Sequence, residues 1–408
     1  MWFYSLLLLL LSPVILWKII GFKRRYPNYR LAQAFGLGPK VEADLWIHCA
    51  SVGEVLAVRP LVLAWQKRRP AGRLLITTVT PTGAEQVAKS FPQAQHKYLP
   101  VDWRVAVMLG LSRIQCPHLW IVETELWPNL LRQAKRQNLT VDVINARLSD
   151  RSFRQYQRFA LVSKPLMSLP DRFFAHAEDD AQRLKRLGAK QVLVTGNVKF
   201  DLTLPDEVIN CTWREQISSS FVWIAASTHE GEDGLFLEAH AQLLKQCPDA
   251  LLLIVPRHPE RFEQVFQQAR QCFTKVARRS AHYLTTWSDH AVVVGDSMGE
   301  LLQYYQASDV AFVAGSMIER GGHNPIEAAL LAKPVLVGPH TFNFKDITEQ
   351  LVAAGGALRC DNLAELQEDL NALAANPTNR VLQGQKALAF AQQNQGAVER
   401  ILSQIDIA

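Results

Sequence analysis

The sequence predicts an α/β protein of two doubly wound, Rossmann-like domains, and three observations predict it. Short apolar or β-branched runs alternate with amphipathic stretches of helical length, the series starts twice, and an aperiodic segment separates the two series. Strands alternating with helices imply parallel sheets covered on both faces, and two series imply two such domains. At 408 residues, 48% hydrophobic and 20% charged, the chain suits two ordinary cores and is not disordered.

The first element is N-terminal. No charge lies between Trp2 and Trp17, six leucines run from Leu6 to Leu11, and Pro13 precedes Lys18, Lys23, Arg24 and Arg25. Residues 1–22 are therefore expected to form a membrane anchor helix, short of the roughly 20 apolar residues of a span unless Lys18 snorkels and Ile19 and Ile20 join. A basic cluster behind the apolar run reverses the order of a signal peptide and puts the rest of the chain on the cytoplasmic side. A shallow, non-spanning anchor is the second reading.

The first domain, 23–204, carries strand-like runs at 45–47, 74–77, 119–122, 141–144, 172–175 and 192–194. Pro205, Asp206, Asn210 and Thr212 then interrupt periodicity. The second domain, 213–385, repeats the runs at 222–225, 251–255, 291–294, 310–313 and 334–337. The tail, 386–408, reads as helix broken near 392–396.

Six scattered cysteines, with no C-x-x-C pair and no zinc spacing, fit a reduced, cytosolic setting, and Cys49 reads as a small buried hydrophobe. The net charge of +6 points to anionic partners. No helix-turn-helix, RNA-binding motif or aromatic-basic alternation points to nucleic acid.

Gly315 to Glu327 reads as a strand end, a glycine loop and a helix start at Asn324-Pro325. That arrangement suits a phosphate, with Glu327 placed for sugar hydroxyls, but a capping box of Asn324 and Glu327 explains it equally. The same spacing of a capping residue and a glutamate three positions later recurs at Ser51 to Glu54, Thr82 to Glu85, Ser227 to Glu230 and Ser297 to Glu300. Ligands of parallel sheets bind beyond strand carboxyl ends, so these five starts are expected to face one crevice between the domains.

Taken with Thr80-Pro81-Thr82-Gly83, Glu123-Thr124-Glu125-Leu126-Trp127-Pro128-Asn129, Asn145-Ala146-Arg147-Leu148-Ser149, Lys199-Phe200-Asp201, Pro256-Arg257-His258-Pro259-Glu260 and Gly338-Pro339-His340-Thr341-Phe342-Asn343-Phe344, these motifs run through nearly the whole chain. Together they resemble the 3-deoxy-D-manno-octulosonic acid (Kdo) transferases of lipopolysaccharide assembly. The resemblance implies a glycosyltransferase-B fold with a central cleft and a last helix that crosses back to the first domain. It also implies CMP-Kdo as donor, a tetra-acylated lipid A precursor as acceptor, and a membrane-anchored enzyme at the cytoplasmic face of the inner membrane.

On that resemblance Glu54 is the proton acceptor, and Glu123 and Lys199 are transition-state stabilisers. A carboxylate can stabilise an oxocarbenium-like centre, and an ammonium can hold a carboxylate or the leaving phosphate. The residues alone also allow plain roles: a capping glutamate at Glu54, a first-turn glutamate at Glu123 and a solvated loop lysine at Lys199. Pro256, Arg257, Met298, Gly299, Glu300, Asn324, Pro325, Ile326 and Glu327 resemble the family's CMP-binding segments. Arg257 and Arg320 suit phosphate or the Kdo carboxylate, and Glu327 or Glu300 suits ribose. His229, His258 and His323 adjoin these motifs and read as hydrogen-bonding rather than catalytic groups.

On the acceptor side stand Ser51, Gly53 and an arginine series, Arg147, Arg151, Arg154 and Arg158, whose steps of four, three and four share one helical face. That stripe fits a phosphorylated lipid or a plain solvated surface, and Lys67, Arg68, Arg69 and Arg73 form a weaker basic patch. No D-x-D occurs, and helix termini and arginine can offset the single phosphodiester charge of a CMP donor, so no metal and no cofactor are expected. The rival readings are a uridine-diphosphate-sugar transferase of the same fold and a non-enzymatic, membrane-tethered binder of anionic ligands.

Overall fold

The structure, a computed structural model, describes residues 2–281 and 284–405. It divides into two compact units, Met1–Asp201 with Gln395–Ala408, and Leu202–Asn394. The first unit holds β1 (Val41–Glu42), β2 (Leu45–His48), β3 (Leu74–Thr78), β4 (Gln95–Tyr98), β5 (Ile114–Gln115), β6 (His118–Val122), β7 (Thr140–Ala146), β8 (Arg172–Ala175) and β9 (Val192–Val194). The second holds β10 (Val222–Thr228), β11 (Leu251–Pro256), β12 (Val276–Arg278), β13 (Val292–Val294), β14 (Val310–Val313), β15 (Val335–Val337) and β16 (Ala357–Arg359).

Each unit is built on a seven-stranded sheet, β4-β3-β2-β6-β7-β8-β9 in the first and β12-β13-β11-β10-β14-β15-β16 in the second, while β1 and β5 form a separate pair. All the pairings are parallel. Helices on both faces explain why the strands are continuous apolar runs. In the first sheet Trp46, Leu119 and Ile121 enter one core layer, while Ile47, Trp120 and Val122 enter the other. Each fully buried aliphatic side chain contributes roughly 1.5–3 kcal/mol, so the two layers hold the sheet and fix its register.

The topology reverses direction between β2 and β6 in one unit and between β10 and β14 in the other. The loops leaving these four strands therefore flank the two switch points, where open α/β sheets bind ligands.

The N-terminal run differs from the expected single helix. It splits at Leu11 into helices Trp2–Leu10 and Ser12–Arg25 of 9 and 14 residues. Pro13 has no N–H to give the preceding turn, which breaks the ladder there. Fourteen residues reach about 21 Å, against the ~30 Å of a bilayer core. No helix among the described residues is long and apolar enough to cross a membrane. Ile19 packs with Tyr29 and Tyr98, while Leu9, Leu10, Val14 and Trp17 are exposed.

The divisions read at 204 and 385 fall instead at 201/202 and 394/395. Val208, in the expected linker, is buried in the second unit, and Trp213 packs edge-on against Trp287 and Tyr304. Helix Pro377–Gln393 runs on past Gly384, where a Cβ would lie 2.0 Å from the Ala332 carbonyl oxygen. Helix Ala397–Gln404 then packs Ala397, Ile401 and Leu402 into the first unit's core; residues 406–408 of the expected tail, like Met1 of the expected anchor, lie outside the described residues.

Of the five expected caps, Ser51 alone starts its helix as read. Helix Pro81–Ser90 is capped two residues early, Thr80 Oγ1 accepting from Gly83 N at 3.1 Å. Ser227 lies inside β10, and Ser297 donates its hydroxyl to Glu300 without capping helix Leu301–Ala307. Asn324 Oδ1 accepts from Ile326 N at 3.1 Å, an Asx turn, and helix Ile326–Leu330 is only five residues long, a weak dipole for a phosphate.

Candidate active site

In the first unit, β2 runs through Ala50 and Ser51 into helix Val52–Ala57. Ser51 is extended (φ −131°), and its Oγ accepts from Glu54 N at 3.4 Å. Glu54 turns back: Oε2 accepts from Ala50 N at 2.7 Å and Oε1 from Ser51 Oγ at 2.9 Å. Gly53 lies in the same turn, with Ser51 Oγ the nearest atom to a would-be Cβ. These bonds favour the carboxylate, but Glu54 is only 7% exposed. Burial outweighs them and, with Glu123 and Glu125 nearby, lifts the carboxyl to about 7. The same glutamate thus caps a helix and titrates near neutrality.

Glu123 leaves β6 with φ 59°, a left-handed conformation that costs a non-glycine residue of order 1 kcal/mol. The next helix begins only at Pro128, so a first-turn dipole does not explain it. Its Oε1 lies 3.8 Å from Lys199 Nζ. Lys199 sits on the 3₁₀ turn Val198–Phe200, where Asn197 Oδ1 accepts from Lys199 N and Asn145 Oδ1 from Val198 N. Lys199 is therefore a positioned cation rather than a solvated loop lysine. Glu125 is a third acid here, its carboxyl raised by burial and by Glu123. Burial, with Glu54 and Glu123 beside it, pushes the Cys49 thiol well up, so it is no nucleophile.

Arg147 does not join the arginine helix face. It precedes the Ser149 cap, and its carbonyl accepts from Thr124 Oγ1 at 3.1 Å, beside the Glu123 turn. Arg151, Arg154 and Arg158 lie exposed on helix Asp150–Arg158. The second basic patch is largely neutralised: Arg73 pairs with Glu42 and Asp44, and Arg68 with Glu399.

In the second unit, Ser227 takes a left-handed turn (φ 62°) at the end of β10. Fully buried Glu232 accepts from His229 N at 3.0 Å, Gly315 N at 2.8 Å and Met317 N at 3.1 Å, tying the loop after β10 to the loop after β14. His229 Nε2 and His323 Nε2 meet at 3.0 Å, and His258 stands 5.5 Å from His229 between ring centroids.

Pro256 closes β11, and Arg257 follows it, exposed, its N donating to the Thr228 carbonyl. Glu327 has no hydrogen-bond or ion-pair partner among the described residues, and burial, opposed by Arg257, raises it to about 7. Glu300 is engaged by Ser297 and by Arg279 at 3.2 Å, so of the two acids Glu327 is the one left open. Met298 is exposed, Gly299 adopts φ +88° in open space, and Arg320 is exposed on the loop before His323.

Residues 29–202 match the family model described as 3-deoxy-D-manno-octulosonic-acid transferase (kdotransferase). The chain is 37% identical to the 3-deoxy-D-manno-octulosonic acid transferase of Haemophilus influenzae, over 98% of this chain and 97% of that one. The family is thereby decided. The chain belongs to the Kdo transferases. It is a glycosyltransferase. The Kdo transferase of Bordetella pertussis is 34% identical over 99% and 98% of the two chains. Among solved structures, UDP-GlcNAc 2-epimerase from Neisseria meningitidis, bound to UDP-GlcNAc, has a TM-score of 0.59 at 18% identity, covering 89% of this chain and 99% of that one, a likeness of fold alone.

In this Kdo transferase the structure gathers Glu54 with Glu123, Glu123 with Lys199, and Arg257 with Glu327. Sequence reasoning missed Glu125, Glu232 and the meeting of His229 with His323. Glu232 carried a usable signal, an acid two residues beyond Glu230 in a glycine-containing loop, but the expected cap at Ser227 drew Glu230 forward instead.

Proposed function

We propose that this Kdo transferase moves Kdo from CMP-Kdo to a hydroxyl of a tetra-acylated lipid A precursor with inversion. Glu54 removes the acceptor proton. The observation that carries the reading is the Glu54 carboxyl: buried, at a strand's carboxyl end beside a switch point, and raised to about 7, where a general base works best near neutral pH. Glu123 stabilises the electron-poor sugar carbon, and Lys199, within 3.8 Å of it, holds a negative group of the donor. In the second unit Arg257 and Arg320 meet the phosphate and Kdo carboxylate, and Glu327 takes the ribose. Segments Pro256-Arg257, Met298 to Glu300 and Asn324 to Glu327 line the nucleotide.

The exposed apolar face of the first two helices, with Lys18, Lys23, Arg24 and Arg25 behind it, supports a shallow interfacial anchor on the cytoplasmic leaflet of the inner membrane. Arg151, Arg154 and Arg158 suit the acceptor's phosphates. The test is a product assay with CMP-Kdo and lipid A precursor, read by mass spectrometry. Transfer by wild type with loss in folded Glu54→Gln is the expected outcome; turnover of a UDP-sugar in place of CMP-Kdo would sink the donor reading.

A further inference from the structure

The loops after β10 and β14 bring two imidazoles together. Their rings are parallel within 6° and their centroids lie 5.1 Å apart, with Nε2 facing Nε2 at 3.0 Å. That combination means the rings meet edge to edge along an N–H···N bond, not face to face. The backbone of Ser227 also favours a proton on the His323 ring. With that proton on Nδ1, the Nε2 of neutral His323 accepts and His229 donates from Nε2. His229 Nδ1 is left as a bare lone pair with no partner among the described residues.

The surroundings are built for negative charge. Arg257, His258 and Arg261 come from the segment after β11, and Arg320 from the loop after β14; all act on His229. The nearby acids are committed: Asp233 to Arg261 and Glu232 to three backbone N–H groups, while Glu327 is opposed by Arg257. Burial and the neighbouring cations hold both imidazoles down, to about 4. An anion entering here cancels the cations' share of that pressure, and in a buried setting its attraction for an imidazolium is strong.

We propose that His229 and His323 form a proton-accepting cradle, so that binding of the nucleotide phosphate draws one proton from solution onto His229 Nδ1. The proton then sits on an imidazolium that remains bonded to His323, and no bond to the nucleotide forms or breaks. This rests on the reading of the second unit as the CMP-donor site. Gly315 (φ +72°) makes room for the pair, because a Cβ there would lie 3.3 Å from His323 Nε2 and 3.4 Å from His229 Cδ2.

Calorimetric titration of the full chain with CMP, at about pH 7.5 in buffers of different ionisation enthalpy, reads the protons taken up per CMP bound. Approaching one proton is expected for wild type and for Glu327→Gln, and none for His229→Gln, whose CMP affinity also falls several-fold. With a cytidine 5′-phosphodiester, whose single charge does not titrate near neutrality, Kd for wild type alone is expected to rise toward about tenfold per unit of pH, which decides the matter even where a variant fails to fold. CMP binding without proton uptake, or uptake unchanged in folded His229→Gln, overturns the cradle and leaves the donor site standing. No CMP binding by wild type overturns the donor reading itself.

Discussion

Glu54 makes competing demands on one side chain. As a cap it accepts hydrogen bonds that favour its ionised form; as a buried acid it resists ionisation, and burial wins. Its proton is held more tightly in the folded protein than in the unfolded chain. Glu54 therefore favours folding fully below its ordinary value of 4.5, and that contribution is lost as pH rises through about 7. The melting temperature of Glu54→Gln is accordingly expected to gain on wild type between about pH 5 and pH 8, by an amount worth up to roughly 3 kcal/mol. Transfer should fall by about 10²–10⁴-fold in the same variant, and in wild type the acid limb of kcat/KM should have its midpoint near pH 7. The spacing of Ser51 and Glu54 made the cap legible in the sequence. The raised acidity was not, since it depends on burial and on Glu123 and Glu125 arriving from another strand.

At the scale of elements, the alternation of apolar runs was enough to read eleven of the strands, because strands buried on both faces are unbroken hydrophobic runs. The helix starts were read less well. Thr80 displaced Thr82 because Pro81 is a better first helical residue, and Ser227 was lost to β10 because the strand continues through Thr228. Glu232 shows what local spacing hides: its partners Gly315 and Met317 are more than 80 positions away. Glu232→Gln keeps the shape but sets amide hydrogens against N–H donors. A loss of about 2–4 kcal/mol is expected by urea unfolding. Gly315→Ala forces a left-handed alanine against both histidines, and should weaken CMP binding by more than it lowers stability.

At the scale of the whole molecule, the +6 charge and the N-terminal apolar run pointed to an anionic surface, and the length of that run misled. A count of apolar residues does not register Pro13, which ends one ladder and starts another. The exposed Leu10, Val14 and Trp17 should instead lie in the lipid interface. Replacing all three with serine is expected to release the full chain from vesicles containing anionic lipid, read by flotation, while transfer to a detergent-dispersed acceptor persists.

The last helix has a consequence in time. Gly396 N and Val398 N donate to Asp201, and Ala397, Ile401, Leu402 and Ile405 fill the layer beside Val55, Leu61 and Trp120. During vectorial synthesis the first unit cannot close that layer until residues 397–405 have been made, whereas the second has its whole sequence sooner. A chain extended only to residue 394 thus holds the whole sequence of the second unit while the first is still open. A fragment ending at residue 201 should aggregate, and supplying residues 395–408 as a separate peptide should rescue its solubility.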